Sequence, residues 1–206
     1  MTNKNGLLVV ISGPSGCGKG TVCKHLREKH PEIVVSISAT TRDMRAGEVD
    51  GKDYFFISKD DFEQQIQDGE FLEYARIYSG HYYGTPKRFV NSTLESGNDV
   101  ILEIDIQGAL QVKEKFEKGV LIFLLPPSMQ ELRARLINRG RESIELINER
   151  FDAAFAEISL ADRYDYVVIN DDLDDAVRSI EAIINAEKCK VTRNKQLIND
   201  IQNGGN

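Results

Sequence analysis

Short apolar runs, bounded by Gly, Pro, Asn or Asp, recur along the chain. Five of them are rich in Val, Ile and Leu and predict buried strands, at residues 7–11, 33–37, 100–104, 120–124 and 166–169. The runs are continuous rather than alternating, which is typical of strands covered on both faces, as in a parallel sheet. The pattern therefore predicts an α/β core with a parallel sheet.

Apolar residues at helical spacing separate most of these strands. They predict helices over residues 19–29, 106–116, 128–138 and 143–161, and Ser128 with Glu131 has the sequence of a capping box. The stretch from about 39 to 98 breaks this rhythm with short aromatic segments and a helical pattern over 59–67. We expect it to form a small inserted subdomain of mixed strands and helix.

Length and composition favour an ordinary globular protein. The chain has 206 residues, of which 41% are apolar and 29% charged, enough for one large domain or two small ones. No apolar run approaches the roughly 20 residues that a membrane-spanning helix needs. The N-terminus lacks the pattern of a signal peptide. We expect a protein without a membrane partner.

The charge balance and the cysteines exclude further classes of protein. A net charge of −7 argues against an extended nucleic-acid surface, which relies on excess Lys and Arg on one face. The three cysteines are an odd number without metal-ligand spacing, so neither a disulfide framework nor a zinc site is indicated. We expect reduced thiols and a cytoplasmic location. A homo-oligomer is left open.

A glycine-rich segment lies between the first predicted strand and the first predicted helix, which is the context of a phosphate loop. Its glycines let backbone N–H groups turn toward one anion, and Lys19 can reach the β/γ-phosphates of a nucleotide. The alternative is a strand-to-helix turn without a ligand. The predicted ATP-binding residues are Gly13, Pro14, Ser15, Gly16, Cys17, Gly18, Lys19, Gly20 and Thr21.

The loop departs from the usual pattern at one position. Gly20 follows Lys19 where Ser or Thr is expected, and Thr21 comes one residue later. Thr21 and Asp105 are the candidate magnesium ligands, since Asp105 follows a strand that ends in acidic residues. Alternatively, Asp105 only caps the helix that begins at Ile106.

A second cationic and aromatic group lies at the start of the inserted stretch. Arg42 and Arg45 are three residues apart, close enough to converge on one anion, and otherwise they are solvated surface charges. Tyr54 and Tyr83 can donate a hydroxyl to phosphate or pack in the core. These residues suggest a second anionic substrate.

At this point the chain resembles the guanylate kinase family, enzymes that move a phosphoryl group from ATP to GMP. The resemblance runs from about residue 6 to 188 and is carried by GPSGCGKGT at 13–21, SATTRDMRAGEVDGKDYFF at 38–56, EFLEYA at 70–75, YYGTP at 82–86, ILEIDIQGA at 101–109, LPPS at 125–128 and VINDDL at 168–173. It implies ATP and GMP as substrates, dGMP as a further acceptor, and Mg²⁺ as cofactor.

The resemblance also implies roles for individual residues. Four residues would hold the GMP phosphate, namely Arg42, Arg45, Tyr54 and Tyr83. Three residues would recognise the guanine base, namely Ser38, Glu73 and Thr85. Asp105, and less firmly Glu103, would lie between base and magnesium, while Asn170 would approach adenine. The lid arginines closing on the transferred phosphoryl would be Arg135, Arg139 and Arg150, which join Lys19 and Arg42 as the catalytic set. Arg133 and Arg141 are interpreted as surface.

The resemblance implies a P-loop NTPase-type core with two additions. The expected division is a core over about 6–38, 99–126 and 160–190, a GMP-binding insertion over about 39–98, a helical lid over about 127–159, and a C-terminal helix with a frayed tail over 191–206. The first 190 residues would form one guanylate kinase-like domain.

The carboxylate of Glu73 explains purine choice chemically. Guanine presents N1–H and its amino group side by side, and one carboxylate accepts both, whereas adenine offers a bare N1 lone pair. A buried acceptor left unpaired discriminates strongly, by about 10⁴-fold. The alternative is an exposed charge on a strand.

Two other functions remain as alternatives. A guanylate-kinase-like binding module would have a damaged ATP site, whereas the glycines and Lys19 are intact here. A kinase for another monophosphate is suggested by the Gly-Lys-Gly-Thr end of the loop, but Glu73 and the segment from Arg42 to Tyr54 argue against it.

Overall fold

The fold is known here from a computed structural model that describes residues 6–76, 80–138 and 144–204. In chain order its elements are β1 Leu8–Ser12, α1 Lys19–Lys29, β2 Val34–Val35, β3 Ala39–Thr40, β4 Phe55–Phe56, α2 Lys59–Gln67, β5 Phe71–Arg76, β6 Tyr82–Pro86, α3 Lys87–Glu95, β7 Val100–Glu103, α4 Ile106–Lys115, β8 Val120–Leu125, α5 Met129–Asn138, α6 Ile144–Ile158, β9 Tyr166–Ile169, α7 Leu173–Lys188 and α8 Lys195–Gln202. None of the helices in these ranges is long and apolar enough to cross a membrane.

The core sheet has five parallel strands in the order β2-β7-β1-β8-β9. Successive residues of β1 point to opposite faces, so that Val9 and Ile11 pack with α1 and α7 while Leu8 and Val10 pack with α4. Both faces are therefore covered, which confirms the parallel α/β core that the continuous apolar runs predict.

The parallel direction of the core strands determines where a ligand site would lie. Strands β1, β7 and β8 lie side by side, so their carboxyl ends meet at one edge of the sheet. Ser12, Glu103 and Leu125 end these three strands. In open parallel sheets, ligands bind in the crevice beyond this edge.

A second sheet of four strands, in the order β4-β3-β6-β5, lies within the inserted stretch. It is mixed, because β3 pairs parallel to β4 while β6 runs antiparallel to both β3 and β5. Helix α2 covers it through Phe62, which is fully buried and stacks on Phe71 and Tyr82 at 4.3 and 5.1 Å between ring centroids. This small sheet has its own apolar core.

Helices α5 and α6 pack on each other beside the phosphate loop. The backbone N–H of Glu131 donates to Ser128 Oγ at 3.1 Å, as the capping pattern predicts. Leu132 and Leu136 of α5 are buried against Ile147 of α6. The expected apolar stripe of α6 is only partly buried, because Ile144 and Phe155 are 72% and 55% exposed.

Two helices were missing from the sequence-based prediction, namely α3 and α7. The Asp172 side chain caps α7 by accepting the Asp175 N–H at 3.0 Å, and Ile180 packs against the core sheet. The predicted strand at 33–37 shrinks to Val34–Val35, because β2 lies at the edge of the described core sheet and pairs there with β7 on one side. Strand length here depends on a partner distant in sequence.

Candidate active site

The glycine-rich segment bridges β1 and α1 with its backbone tightly enclosed. A Cβ added at Gly13 would lie 2.2 Å from Leu124 O, and one added at Gly18 would lie 2.4 Å from Asn170 Nδ2. Gly18 also has a φ of 97°, which disfavours any other residue. These positions require glycine for space and conformation, as an anion-binding loop at a helix start would.

The Lys19 side chain folds back over this loop. Its Nζ donates to Gly13 O at 2.7 Å and to Pro14 O at 3.4 Å. The ammonium group therefore already lies on the loop whose backbone would hold phosphate. A bound nucleotide would offer this cation phosphate oxygens in place of the two carbonyls.

Asn170 and Arg135 meet at the carbonyl group of Cys17. Asn170 Nδ2 donates to Cys17 O at 2.8 Å, and Arg135 donates to the same oxygen at 3.4 Å and to Asn170 O at 3.0 Å. The Cys17 thiol is fully buried, and burial raises its pKa. The structure therefore places Arg135, one of the arginines predicted for the lid, and the end of β9 directly against the phosphate loop.

A cavity of about 340 Å³ opens between the core sheet and the small sheet. Five of the predicted GMP-site residues line it, together with three neighbours: Ser38, Tyr54, Glu73, Tyr83 and Asp105, with Ala75, Glu103 and Ile104. Tyr54, Glu73 and Tyr83 come from the inserted stretch and Ser38 directly precedes it, whereas Asp105 follows β7 of the core. The cavity therefore exists only where the two sheets meet.

The Glu73 carboxylate is a buried acceptor rather than an exposed strand charge. The residue is 5% exposed on β5, and Thr85 Oγ1 donates to its Oε1 at 2.6 Å. Burial raises the pKa of Glu73 to about 7, and the charge of Asp105 adds to this rise, while the Thr85 hydrogen bond opposes it. The Glu73 carboxylate therefore presents a buried acceptor to the cavity that it lines.

Gly108 of α4 gives this carboxylate its space. A Cβ at position 108 would lie 2.6 Å from Glu73 Oε2, closer than any real contact of that kind. Since Thr85 holds Glu73 from the other side, the carboxylate has little room to yield. The sequence analysis quoted this glycine within a motif but assigned it no role.

Substituting Gly108 with alanine is expected to displace Glu73 and to raise the KM for GMP by about tenfold or more, since a buried hydrogen-bonded charge would be disturbed. The KM for ATP should stay within about twofold. Steady-state kinetics with each substrate varied would measure both. Glu114→Ala, an exposed position on the same helix, is the matched control, and an unchanged KM for GMP in Gly108→Ala would contradict this assignment.

Arg42 is held in a fixed orientation by neighbours of the small sheet. Its guanidinium donates to both oxygens of Glu48 at 2.7 and 2.5 Å, and its Nε donates to the Tyr83 hydroxyl at 3.1 Å. The guanidinium carbon also lies 4.9 Å from the Tyr54 ring centroid. The Glu48 pair raises the pKa of Arg42 above its ordinary value, so the group stays cationic. Sequence reasoning did not find Glu48.

The other arginines predicted for the site are Arg45, Arg139 and Arg150. The Arg45 side chain is exposed, and its backbone N–H donates to Glu48 Oε2 at 2.8 Å. Arg150 is half-buried on α6, and Arg139 lies outside the described residues. The guanidinium contacts of Arg42 place it at the cavity wall, and those of Arg135 place it at the loop.

Carboxylates near the loop fit a magnesium ion that is bound mainly by substrate. Glu103 and Asp105 line the cavity, and a Cβ at Gly20 would lie 3.2 Å from Glu103 Oε1. Asp105 also caps α4, because its carboxylate accepts a hydrogen bond from the Gly108 N–H at 2.7 Å. The same residue therefore caps the helix and lines the cavity. Thr21 is exposed. Within the described ranges no cluster of three ligating side chains forms a metal cage, and Mg²⁺ commonly uses one or two carboxylates with phosphates and water.

Comparison with known proteins gives one consistent result. A family model described as guanylate kinase matches residues 5–187. The chain is 63% identical over 194 residues to a guanylate kinase of Caldanaerobacter subterraneus subsp. tengcongensis, covering 94% of each chain. It is 57% identical to one of Clostridium perfringens, covering 94% of this chain and 89% of the relative. A crystal structure of guanylate kinase from Anaplasma phagocytophilum superimposes with a TM-score of 0.74 at 36% identity, covering 92% and 90% of the two chains.

Proposed function

Because the chain belongs to the guanylate kinase family and so phosphorylates GMP to GDP with ATP, we propose that transfer occurs between the glycine-rich loop and the cavity beside Glu73. The observation that carries this placement is the buried Glu73 carboxylate, which lines the cavity and is held through one oxygen by the Thr85 hydroxyl. The two substrates would approach each other across the carboxyl edge of the core sheet.

The loop and Lys19 would hold the phosphates of ATP. Backbone N–H groups of the segment from Gly13 to Thr21 would face these oxygens, and the start of α1 would add its dipole. Lys19 would exchange its present carbonyl partners for phosphate oxygens. Asn170, which already contacts Cys17 O, would approach the adenine.

Arg42 would bind the GMP phosphate, together with its neighbours Tyr54 and Tyr83. The Glu48 pair fixes the guanidinium plane, and an ordered guanidinium binds phosphate with less loss of side-chain entropy. Phosphate would take its remaining N–H or replace one of its present acceptors, since four of its five N–H groups already donate to Glu48, Tyr83 and Asp43 O. Tyr54 and Tyr83 line the same cavity and would donate their hydroxyls. Arg45, whose side chain is exposed, would contact the same phosphate from the loop that follows Arg42.

Ser38, Glu73 and Thr85 would select guanine. An ionised Glu73 accepts from guanine N1–H and the amino group, and Thr85 orients the carboxylate through its 2.6 Å hydrogen bond. Adenine would place a lone pair against the same carboxylate. Because the group is buried, this mismatch is not relieved by water.

The reaction needs neither a covalent intermediate nor a strong base. A phosphate monoester is mostly dianionic at neutral pH, since its second pKa is about 6. The enzyme must instead offset the repulsion between two anions. Lys19, Arg42 and the lid arginines Arg135, Arg139 and Arg150 would neutralise charge on the transferred group, while the loop and cavity align donor and acceptor for in-line transfer. Closure of the lid would exclude water.

Glu103 and Asp105, with Thr21 less directly placed, would hold Mg²⁺ together with the ATP phosphates. When bound, the ion would supply positive charge to the phosphate oxygens. The role of Asp105 as a helix cap would keep its carboxylate in one orientation.

Several expectations from the sequence stay predictions. These are the division into core, GMP-binding insertion and lid, the use of dGMP, the cytoplasmic location, and partners limited to small molecules or a second copy of the chain. A coupled assay with ATP and each of GMP, dGMP, AMP, CMP and UMP tests the substrate class. We expect rates with GMP and dGMP to exceed the others by about 10³-fold or more, and equal rates for AMP would contradict the assignment of Glu73. ATP binding without any turnover would favour a binding module.

The pKa of Glu73 gives the site a pH dependence. Burial raises this pKa to about 7 in the free protein, and only the ionised form accepts both guanine donors. Guanosine affinity is therefore expected to rise with pH and level off above about 7, falling roughly tenfold per pH unit below it. Binding measured from pH 5.5 to 8.5 tests this, and guanosine avoids titration of the phosphate. A flat profile would contradict it.

A further inference from the structure

Gln111 of α4 binds the backbone of Tyr74, the residue that follows Glu73 on β5. Its side-chain Nε2 donates to Tyr74 O at 2.8 Å, and the Tyr74 N–H donates to Gln111 Oε1 at 3.2 Å. One side-chain amide therefore exchanges two hydrogen bonds with a single residue, as a neighbouring antiparallel strand would. The contact joins a helix of the core to the strand that carries Glu73.

This contact covers the outer edge of the small sheet beside Glu73. Among the described strands the order is β4-β3-β6-β5, so β5 lies at the end of the sheet. The backbone N–H and C=O groups on the outer side of such a strand need partners other than a strand. The Gln111 amide supplies them at Tyr74, which is half-buried. Strand β5 is therefore bound by β6 on one side and by α4 on the other.

An irregularity in β5 makes a second support important at this point. Phe71 pairs with Pro86 and Glu73 pairs with Thr85, so β5 advances by two residues where β6 advances by one. Such a bulge interrupts the ladder and redirects the side chains beside it. Here it sets Glu73 opposite Thr85, whose hydroxyl donates to the Glu73 carboxylate at 2.6 Å. The direction of Glu73 thus depends on how the bulged strand is held.

One face of α4 follows β5 past the bulge. Gly108 leaves space for the Glu73 carboxylate. Three residues further on, Gln111 binds the Tyr74 backbone, and the Lys115 ammonium lies 5.8 Å from the Tyr74 ring centroid. Positions i, i+3 and i+7 of a helix lie on the same side. The helix therefore contacts β5 at the residue that reads the base and at the residue after it.

We propose that Gln111 is a positioning residue for guanine recognition, which holds the backbone of β5 so that the Glu73 carboxylate meets both guanine donors. The inference rests on the proposed role of Glu73 in reading the base. Two parallel hydrogen bonds to one carboxylate require it to lie in the plane of the base, whereas a single bond tolerates a tilt. A shift of β5 therefore weakens selection for the guanine amino group more than it weakens the hold of Arg42 on the phosphate.

Gln111→Met should reduce selection for the guanine base. Methionine has a similar length but cannot make the two amide hydrogen bonds. Inosine monophosphate (IMP) has the N1–H of guanine without its amino group, so the ratio of kcat/KM for GMP to that for IMP reports the second hydrogen bond to Glu73. We expect this ratio to fall by about tenfold and the KM for ATP to stay within about twofold. Gln107→Met, exposed on the same helix, is the matched control and should keep the wild-type ratio.

A double variant separates positioning from general destabilisation. If Gln111 acts through Glu73, adding Gln111→Met to Glu73→Gln should change the ratio by less than about twofold, because the two effects are not additive. Fully additive effects would overturn the proposal, as would equal losses for GMP and IMP or an unchanged ratio in folded Gln111→Met. An unchanged ratio in Glu73→Gln alone would instead refute the proposed role of Glu73.

Hydrogen exchange at the Tyr74 amide tests the contact in the wild type, without any substitution that affects folding. The Tyr74 N–H should exchange about tenfold or more slowly than an unstructured amide. Gln111→Met should lose part of this protection, and Gln107→Met should keep it. A wild-type Tyr74 amide that exchanges as fast as an unstructured one would overturn the proposal.

Discussion

Replacing Lys19 with alanine is expected to lower turnover by about 10³-fold or more while the protein stays folded. The Lys19 ammonium already lies on the phosphate loop, where it donates to Gly13 O and Pro14 O. Phosphoryl transfer spreads negative charge over the equatorial oxygens of the moving group, and a fixed cation stabilises that charge without reorganisation. A coupled assay at saturating ATP and GMP measures kcat directly.

The fold should survive this substitution because the two carbonyls that Lys19 contacts lie on a part-buried surface. Losing such hydrogen bonds costs about 1 kcal/mol each. Lys24→Ala is the matched control, since Lys24 lies on the same helix with its side chain 71% exposed. A Lys19→Ala protein that melts near the wild-type temperature and retains turnover within tenfold would contradict the assignment.

Replacing Glu73 with glutamine is expected to reduce kcat/KM for GMP by about 10³-fold and to relax the preference over AMP. Glutamine keeps one acceptor but presents an amino group to a guanine donor, so one buried contact becomes repulsive. The same amino group can donate to the bare N1 of adenine. Activity with AMP should therefore rise or hold while activity with GMP falls, and the loss should appear mainly in the KM for GMP.

Kinetics with GMP and AMP as alternative acceptors measures both effects of Glu73→Gln. Glu70→Gln, exposed just before the same strand, should leave both unchanged. The KM for ATP should also be unaltered, because Glu73 belongs to the small sheet and not to the loop. Unchanged GMP kinetics together with unchanged selectivity would refute the role of Glu73 in reading the base.

Much of the site was accessible from the sequence because its signals are local or motif-based. The glycine-rich segment needs only the residues between one strand and one helix, and the structure places Lys19 on that loop. Ser38, Tyr54, Glu73, Tyr83 and Asp105, assigned by resemblance, line one cavity. The local structure was predicted less completely. Strand β2 was predicted too long, because strand length depends on a distant partner, and helices α3 and α7 were missed, because their apolar patterns were not recognised.

The sequence by itself determined the class of core, through continuous apolar runs, and the phosphate loop, through glycines and a lysine at fixed spacing. Only the tertiary structure decided which side chains support the site. Glu48 fixes Arg42, and Gly108 makes room for Glu73. The physical reason is that apolar periodicity and backbone conformation are properties of neighbouring residues. Hydrogen bonds, close approaches and burial join residues that are brought together only when the two sheets and their helices pack.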